Sequence, residues 1–336
     1  MPYARRALPA LGALVLSAGL LSACGGDDED KLVIYNAQHE ELVDEVVKAF
    51  TEETDIEVTV RNGSDLELAN QLVAEGDASD ADVFLTENSP AMSRVQSEGL
   101  FTTVDDGTLD NIPEQYRPDD NSWTGFAARS TVLVYNTAAV PPDELPTSLM
   151  DLADPEWAGR ISFSPTGADF QAIVAAVLAL EGEEATAEWL AGIEENGTLY
   201  DGNNVVLESV NAGEVDAGVI YHYYWYRDQE EAGDNSDNTE LHFFGNQDPG
   251  AFFSISGAGV LKNGEHNDDA QEFVEFLTGP EGQAIVADSY ALEYPLNPEV
   301  DIRSVPPLAE LEVPAVDVSE LDSVKVVEMM QDAGLL

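Results

Sequence analysis

The chain holds a single cysteine, Cys24, in 336 residues, so no disulfide framework is open to it. Basic residues are scarce: 13 lysines and arginines stand against 66 aspartates and glutamates, for a formal net charge of -53. Nucleic acid and anionic membrane surfaces both call for clustered lysine and arginine, and this balance argues against either as a partner. The four histidines, His39, His222, His242 and His266, are too dispersed for a zinc-binding spacing. Equally missing are His-Glu-x-x-His, the Gly-x-Ser-x-Gly elbow and a glycine-rich lysine loop for phosphates. Without these signatures the sequence does not read as an enzyme.

Long apolar runs are confined to the N-terminus. Arg5 and Arg6 precede an apolar run from Ala7 to Leu21, and Leu21-Ser22-Ala23-Cys24 follows. A basic start, an apolar stretch and small residues form the pattern of a secretory signal, and the run is short for a spanning helix. Leu-Ser-Ala-Cys resembles a bacterial lipobox, which implies removal of residues 1–23 and lipidation of Cys24 at the outer face of the cell membrane. Arg5-Arg6 is also similar to the pair in twin-arginine export signals. Residues 24–30, Cys-Gly-Gly-Asp-Asp-Glu-Asp, form an acidic tether with nothing to bury. Beyond it the acids are scattered over every surface face. Such a charge repels itself at low salt, whereas at molar salt the screening length falls to about 3 Å. The composition therefore reads as halophilic, and most carboxylates as solvation chemistry.

The mature chain alternates strand and helix. Leu32–Asn36, Ile56–Val60 and Ala81–Leu85 read as strands, separated by helices carrying Leu42, Val43, Val46 and Phe50, then Leu68, Ala69, Leu72 and Val73. Asn62-Gly63-Ser64-Asp65 reads as a turn with a helix N-cap. The middle repeats the rhythm with strands at Thr131–Tyr135, Ile161–Phe163 and Val215–Ile220. Helices are expected through Leu178 and over Glu184–Ile193, with Asn196-Gly197 as C-cap. Ala251–Leu261 is an extended return, helices follow at 267–278 and 280–290, and Glu320–Ala333 closes the chain. The fold class is α/β, with parallel-sheet rhythm and ligands expected beyond the carboxyl ends of the strands. Two lobes are expected, residues 31–130 plus 250–300 and residues 131–249 plus 301–336, joined by more than one crossing strand.

One stretch stands out. Tyr221-His222-Tyr223-Tyr224-Trp225-Tyr226 puts four phenols, an imidazole and an indole in six residues directly after a predicted strand. It reads either as a buried aromatic cluster or as a source of oxygen ligands for a hard cation. Neighbouring residues of a regular element do not share a face, so Tyr223 and Tyr224 can converge only where a strand breaks into a helix. His39 and Glu87 also fall just past predicted strand ends. Phenolate, carboxylate and imidazole together suit ferric iron, whose charge two phenolates and a carboxylate offset.

Val33-Ile34-Tyr35-Asn36-Ala37-Gln38-His39, Ala81-Asp82-Val83-Phe84-Leu85-Thr86-Glu87, Tyr223-Tyr224-Trp225-Tyr226, Gln247-Asp248-Pro249-Gly250 and Glu293-Tyr294-Pro295-Leu296 resemble the bacterial ferric-ion-binding proteins. These are the solute-binding components of iron(III) ABC importers. The resemblance implies a two-lobed, type II periplasmic-binding-protein fold with the metal in the interlobe cleft. It also implies a monomer that hands ferric iron to an ABC permease and its ATPase. By this match His39, Glu87, Tyr223 and Tyr224 fall on the iron ligands. The family completes the shell with an exogenous anion, phosphate or carbonate. Asn203 fits an anion contact, and Thr166, Gly167 and Ala168 stand where an anion-binding turn opens a helix. Asp169 follows that turn and would repel an anion, and Tyr221 stands where an asparagine is common. A smaller anion, a water or the Tyr221 phenol is therefore an alternative occupant. Arg129 is read as an anion counter-charge or as a structural arginine. Two other functions stay open: a binding protein for thiamine, a polyamine or another cation, and a metal-dependent hydrolase.

Overall fold

Short apolar runs become strands here, and each amphipathic stretch after them packs back as a helix. The computed structural model describes residues 31–302, 305–307, 311–318 and 321–336. The signal segment, the tether and Cys24 lie outside the described residues. The first layer is β1 (Leu32–Asn36), α1 (Glu40–Thr54), β2 (Val58–Asn62), α2 (Asp65–Glu75), β3 (Val83–Leu85), α3 (Ser89–Ser97) and α4 (Asp106–Asn111). Next come β4 (Thr124–Asn136), β5 (Ile161–Phe163), α5 (Ala168–Asn196), β6 (Gly197–Leu199), α6 (Asn203–Ala212), β7 (Ala217–Tyr221), α7 (His222–Glu231) and β8 (Thr239–His242). The chain ends with β9 (Phe253–Val260), α8 (Asn267–Thr278), α9 (Pro280–Asp288), β10 (Tyr294–Pro295) and α10 (Ser323–Asp332).

The sheet is mixed. β2, β1 and β3 run parallel, as do β6, β5 and β7, whereas β9 joins β3 and β4 antiparallel. β4 organises the whole and is buried along its full length. Its first half, to Ser130, pairs with β9 and β10; its second half, from Thr131, pairs with β7 and β8. A second crossing lies alongside, where Phe252 packs into one core and Phe253 into another. The Thr131 N–H donates to the Phe252 carbonyl at 3.1 Å, stitching the two crossings together.

The strand expected at Thr131–Tyr135 thus begins seven residues earlier, at Thr124. Gly125, Ala127, Ala128 and Arg129 hide that half from a search for β-branched residues. The glycine is required, because a Cβ there would meet Ile255 Cγ2 at 2.5 Å and the Tyr116 carbonyl at 2.8 Å. Two further expectations change. Gly197 does end α5, donating its N–H to the Ile193 carbonyl, but with φ -101° and ψ 156°, an extended conformation that starts β6 and not a left-handed cap. The two helices expected before it are both present within α5, divided at Gly182, whose φ of 82° and ψ of 170° are not helical. Ser64 precedes α2 without a side-chain cap, and Asp65 turns away to serve the end of β3. The late segment divides between cores: Val305 and Val318 pack with Tyr35 and Phe84, and Leu321, Val326 and Met330 with Trp189.

His222 sits where the crossings meet. Its Nδ1 accepts from the Ser130 N–H at 3.1 Å, which leaves Nε2–H to donate to the Leu292 carbonyl at 3.0 Å. Burial, helped by the nearby charge of Arg129, pushes its pKa down to about 3. A histidine depressed in the fold contributes stability that is complete above its unfolded pKa of about 6.5 and is lost as pH falls towards 3. Thermal unfolding from pH 7.5 to 4 in high salt is expected to show this loss, at up to about 1.4 kcal/mol per pH unit. His222→Gln is expected to flatten that part of the profile; parallel profiles for the two proteins would refute the assignment.

Candidate metal centre

Three strand ends aim side chains at one place. His39 is the N-cap residue of α1, three residues beyond the end of β1; its N–H donates to Gln38 Oε1 at 2.7 Å. Glu87 lies just past β3, where Asp65 fixes the turn: Oδ1 accepts the Glu87 N–H at 2.9 Å and Oδ2 accepts from Asn88 Nδ2 at 3.0 Å. Tyr221 ends β7 in extended conformation and α7 begins at once, so Tyr223 and Tyr224 occupy its first turn. Their rings stack at 4.2 Å, and both hydroxyls face the same way. The break from strand to helix therefore lets two adjacent phenols converge.

His39 Nε2 lies 3.9 Å from Glu87 Oε1, and the Tyr223 hydroxyl donates to that oxygen at 3.2 Å. The Tyr223 and Tyr224 hydroxyls reach Asp169 Oδ2 at 3.5 and 3.0 Å. Asn203 Nδ2 donates to the same oxygen at 2.8 Å, and Asn88 Nδ2 to Oδ1 at 3.3 Å. Asp169 is buried in the first turn of α5, where the helix dipole favours negative charge. Its carboxylate thus takes up donors from Tyr223, Tyr224, Asn203 and Asn88 at the start of that helix. The Tyr221 hydroxyl donates to the Asp169 main-chain carbonyl at 3.2 Å and lies 3.5 Å from Asn88 Oδ1, so this phenol braces the turn. Ala168 and Gly167 open the helix, with Gly167 as N-cap, while the Thr166 side chain is exposed.

Arg129 faces two carboxylates of the chain itself. It is fully buried, with Nη1 3.1 Å from Glu87 Oε1 and Nη2 2.9 Å from Glu293 Oε1. Glu293 is itself fully buried, and its Oε1 is 3.6 Å from His39 Nε2. His39, Glu87 and Glu293 form a group with metal-ligand spacing among the described residues. The sequence singled out neither Glu293, Asp65 nor Asn88 for the site. The cues to Glu293 are its place in the resembling stretch Glu293-Tyr294-Pro295-Leu296 and its setting, an acid inside the otherwise apolar run Ala291-Leu292-Glu293-Tyr294-Pro295-Leu296.

Burial sets the protonation of this centre. Burial, reinforced by the charge of Glu87, raises Asp169 to about 6 and Asp65 to about 8. Burial also pushes the phenols of Tyr223 and Tyr224 well above their usual value of about 10, so both are protonated in the metal-free protein. A cation bound here must displace those protons. The donors are oxygen-rich and anionic once deprotonated, which suits a hard, highly charged ion.

A mixed α/β fold crossed twice by the chain, with a ligand centre at its strand ends, defines the extracytoplasmic solute-binding class. Residues 79–318 match the family model for bacterial extracellular solute-binding proteins, and the chain belongs to that family. It is 52% identical to the Fe(3+)-binding periplasmic protein of Serratia marcescens, over 96% of this chain and 97% of that one. It is 35% identical to the major ferric iron-binding protein of Neisseria meningitidis serogroup A, over 90% and 93%. Among solved structures it matches iron-bound HitA of Pseudomonas aeruginosa with a TM-score of 0.84 and 39% identity, over 91% of this chain and 99% of that chain. These relatives are binding proteins, not enzymes. No helix among the described residues is long and apolar enough to cross a membrane.

Proposed function

We propose that this protein captures ferric iron outside the cytoplasm and delivers it to an ABC permease with its ATPase. His39, Glu87, Tyr223 and Tyr224 are the ligands. Asp169 supplies the fourth anionic group, and the fifth ligand, in place of an exogenous phosphate or carbonate. The observation that carries this reading is that two phenols from one helix start meet a carboxylate from another, beside His39 and Glu87. The relatives named for ferric iron support the choice of metal. The lobes are residues 31–130 with 250–300 and residues 131–249 with 301–336, the stretch 305–318 lying against the first. Cys24 carries the lipid that holds a monomer at the outer face of the cell membrane.

Colour tests the reading. Protein purified in high salt and exposed to ferric citrate is expected to bind one ferric ion and show a visible tyrosinate-to-iron charge-transfer band. Tyr224→Phe is expected to weaken and shift that band. A colourless, iron-free wild-type protein would sink the proposal and leave a different solute as the cargo.

A further inference from the structure

Arg129 is a fully buried cation whose charge the ligand set does not use. Its two terminal nitrogens lie on two different carboxylates, Glu87 at 3.1 Å and Glu293 at 2.9 Å, and its only directed hydrogen bond among those described runs from Nη2 to Ser256 Oγ at 2.7 Å. Nε and Nη1 find no hydrogen-bond acceptor among the described residues. Glu87 is therefore held by charge and proximity, without the forked geometry that locks an arginine to one acid.

The two acids differ in how they are fixed. Glu293 Oε2 accepts from Gln38 Nε2 at 3.2 Å and from Ser256 Oγ at 3.1 Å, and its side chain is fully enclosed. Glu87 retains 20% of its side-chain surface, and its side chain accepts only the Tyr223 hydroxyl among the described hydrogen bonds. One acid is enclosed and held by two hydrogen bonds, the other partly exposed and held by one. Glu293 Oε1, ion-paired with Arg129, lies 3.6 Å from His39 Nε2, and neither atom has a hydrogen-bond partner among the described residues.

We propose that Arg129 is a resident counter-cation. In the iron-free protein it neutralises Glu87 and Glu293 together; when ferric iron enters, Glu87 passes to the metal and Glu293 keeps the arginine. Glu293 is thus a positioning residue, acting through Arg129, and its task is to stop the guanidinium from competing with iron for Glu87. Charge accounts for the need. Without a cation, Glu87 and Glu293 would repel each other in a dry site, and without Glu293 an unpaired buried arginine would claim Glu87 for itself.

The inference rests on the ferric reading, and a double-mutant cycle separates the two. Affinity is measured by competition against citrate, with the charge-transfer band followed alongside. Glu293→Gln is expected to lower ferric affinity about 10- to 100-fold, the usual range for groups that act one step behind a ligand. In a Glu87→Gln background, where nothing is left to contest, adding Glu293→Gln is expected to cost less than about threefold more. Arg129→Gln with Glu293→Gln is expected to recover most of the loss. Additive losses across the cycle, or wild-type affinity in Glu293→Gln, would overturn the role of Glu293. If Glu293→Gln does not fold, Glu293→Asp carries the test, with an intermediate affinity expected and wild-type affinity refuting it. A wild-type protein without the band defeats the ferric reading itself.

Discussion

Ferric binding by an Asp169→Ala variant is expected to depend on added phosphate or carbonate, whereas the wild-type protein is indifferent to both. The side chain removed is a carboxylate that accepts from Tyr223, Tyr224, Asn203 and Asn88. Its loss leaves those donors facing an empty space at the start of α5, whose first-turn N–H groups lack helical partners. That is the setting in which a free oxyanion binds. In anion-free buffer the variant is expected to lose more than about 100-fold in affinity, beyond what a supporting group costs, because a charged ligand is gone. Millimolar phosphate is expected to restore most of it. Titration against citrate with and without phosphate decides the matter. Phosphate dependence in the wild type, or an Asp169→Ala variant that binds as tightly as its parent, would place the anion elsewhere.

Iron affinity is expected to fall steeply with acid, and more steeply below about pH 6. Tyr223 and Tyr224 are protonated in the metal-free protein and deprotonated on the metal, so binding releases two protons. Each released proton makes affinity rise tenfold per pH unit, which gives about 100-fold per unit near neutrality. Asp169 adds a third. Its pKa near 6 in the metal-free protein means that it is ionised above that value and needs no deprotonation, but below it a further proton must leave. The slope should steepen there towards about 1000-fold per unit. Proton release measured in weakly buffered solution provides the same count directly. A constant slope through pH 6 would show that Asp169 is not among the groups the metal displaces from their protons. An Asp169→Ala variant in anion-free buffer should steepen less there than the wild type, by the one proton that Asp169 no longer contributes.

How much of this was legible depends on how each residue announces itself. His39, Glu87, Tyr223 and Tyr224 follow apolar runs whose ends can be read from periodicity, and the geometry brings all four together. The first half of β4 escaped because its small residues and one arginine carry no strand signature, although the whole length is buried. Among 66 acidic residues a functional carboxylate has no compositional signal. Asp65, Asp169 and Glu293 differ from their neighbours only in being buried, and burial is a tertiary property. Asp169 was visible as an acid that would repel an anion. That it gathers Tyr223, Tyr224, Asn203 and Asn88 around one carboxylate follows only from its hydrogen bonds.

The double crossing at Ser130–Thr131 and Phe252–Phe253 has a mechanical consequence. Two strands laid side by side and tied by the bond from Thr131 to Phe252 act like a door hung on two pins. A paired crossing of this kind is where a hinge motion between the two sides of the sheet is expected to act. The first pin runs straight into Arg129, and His222 clasps the same joint through Ser130. A hinge at this joint is therefore expected to act within a few residues of the Arg129–Glu87–Glu293 charges.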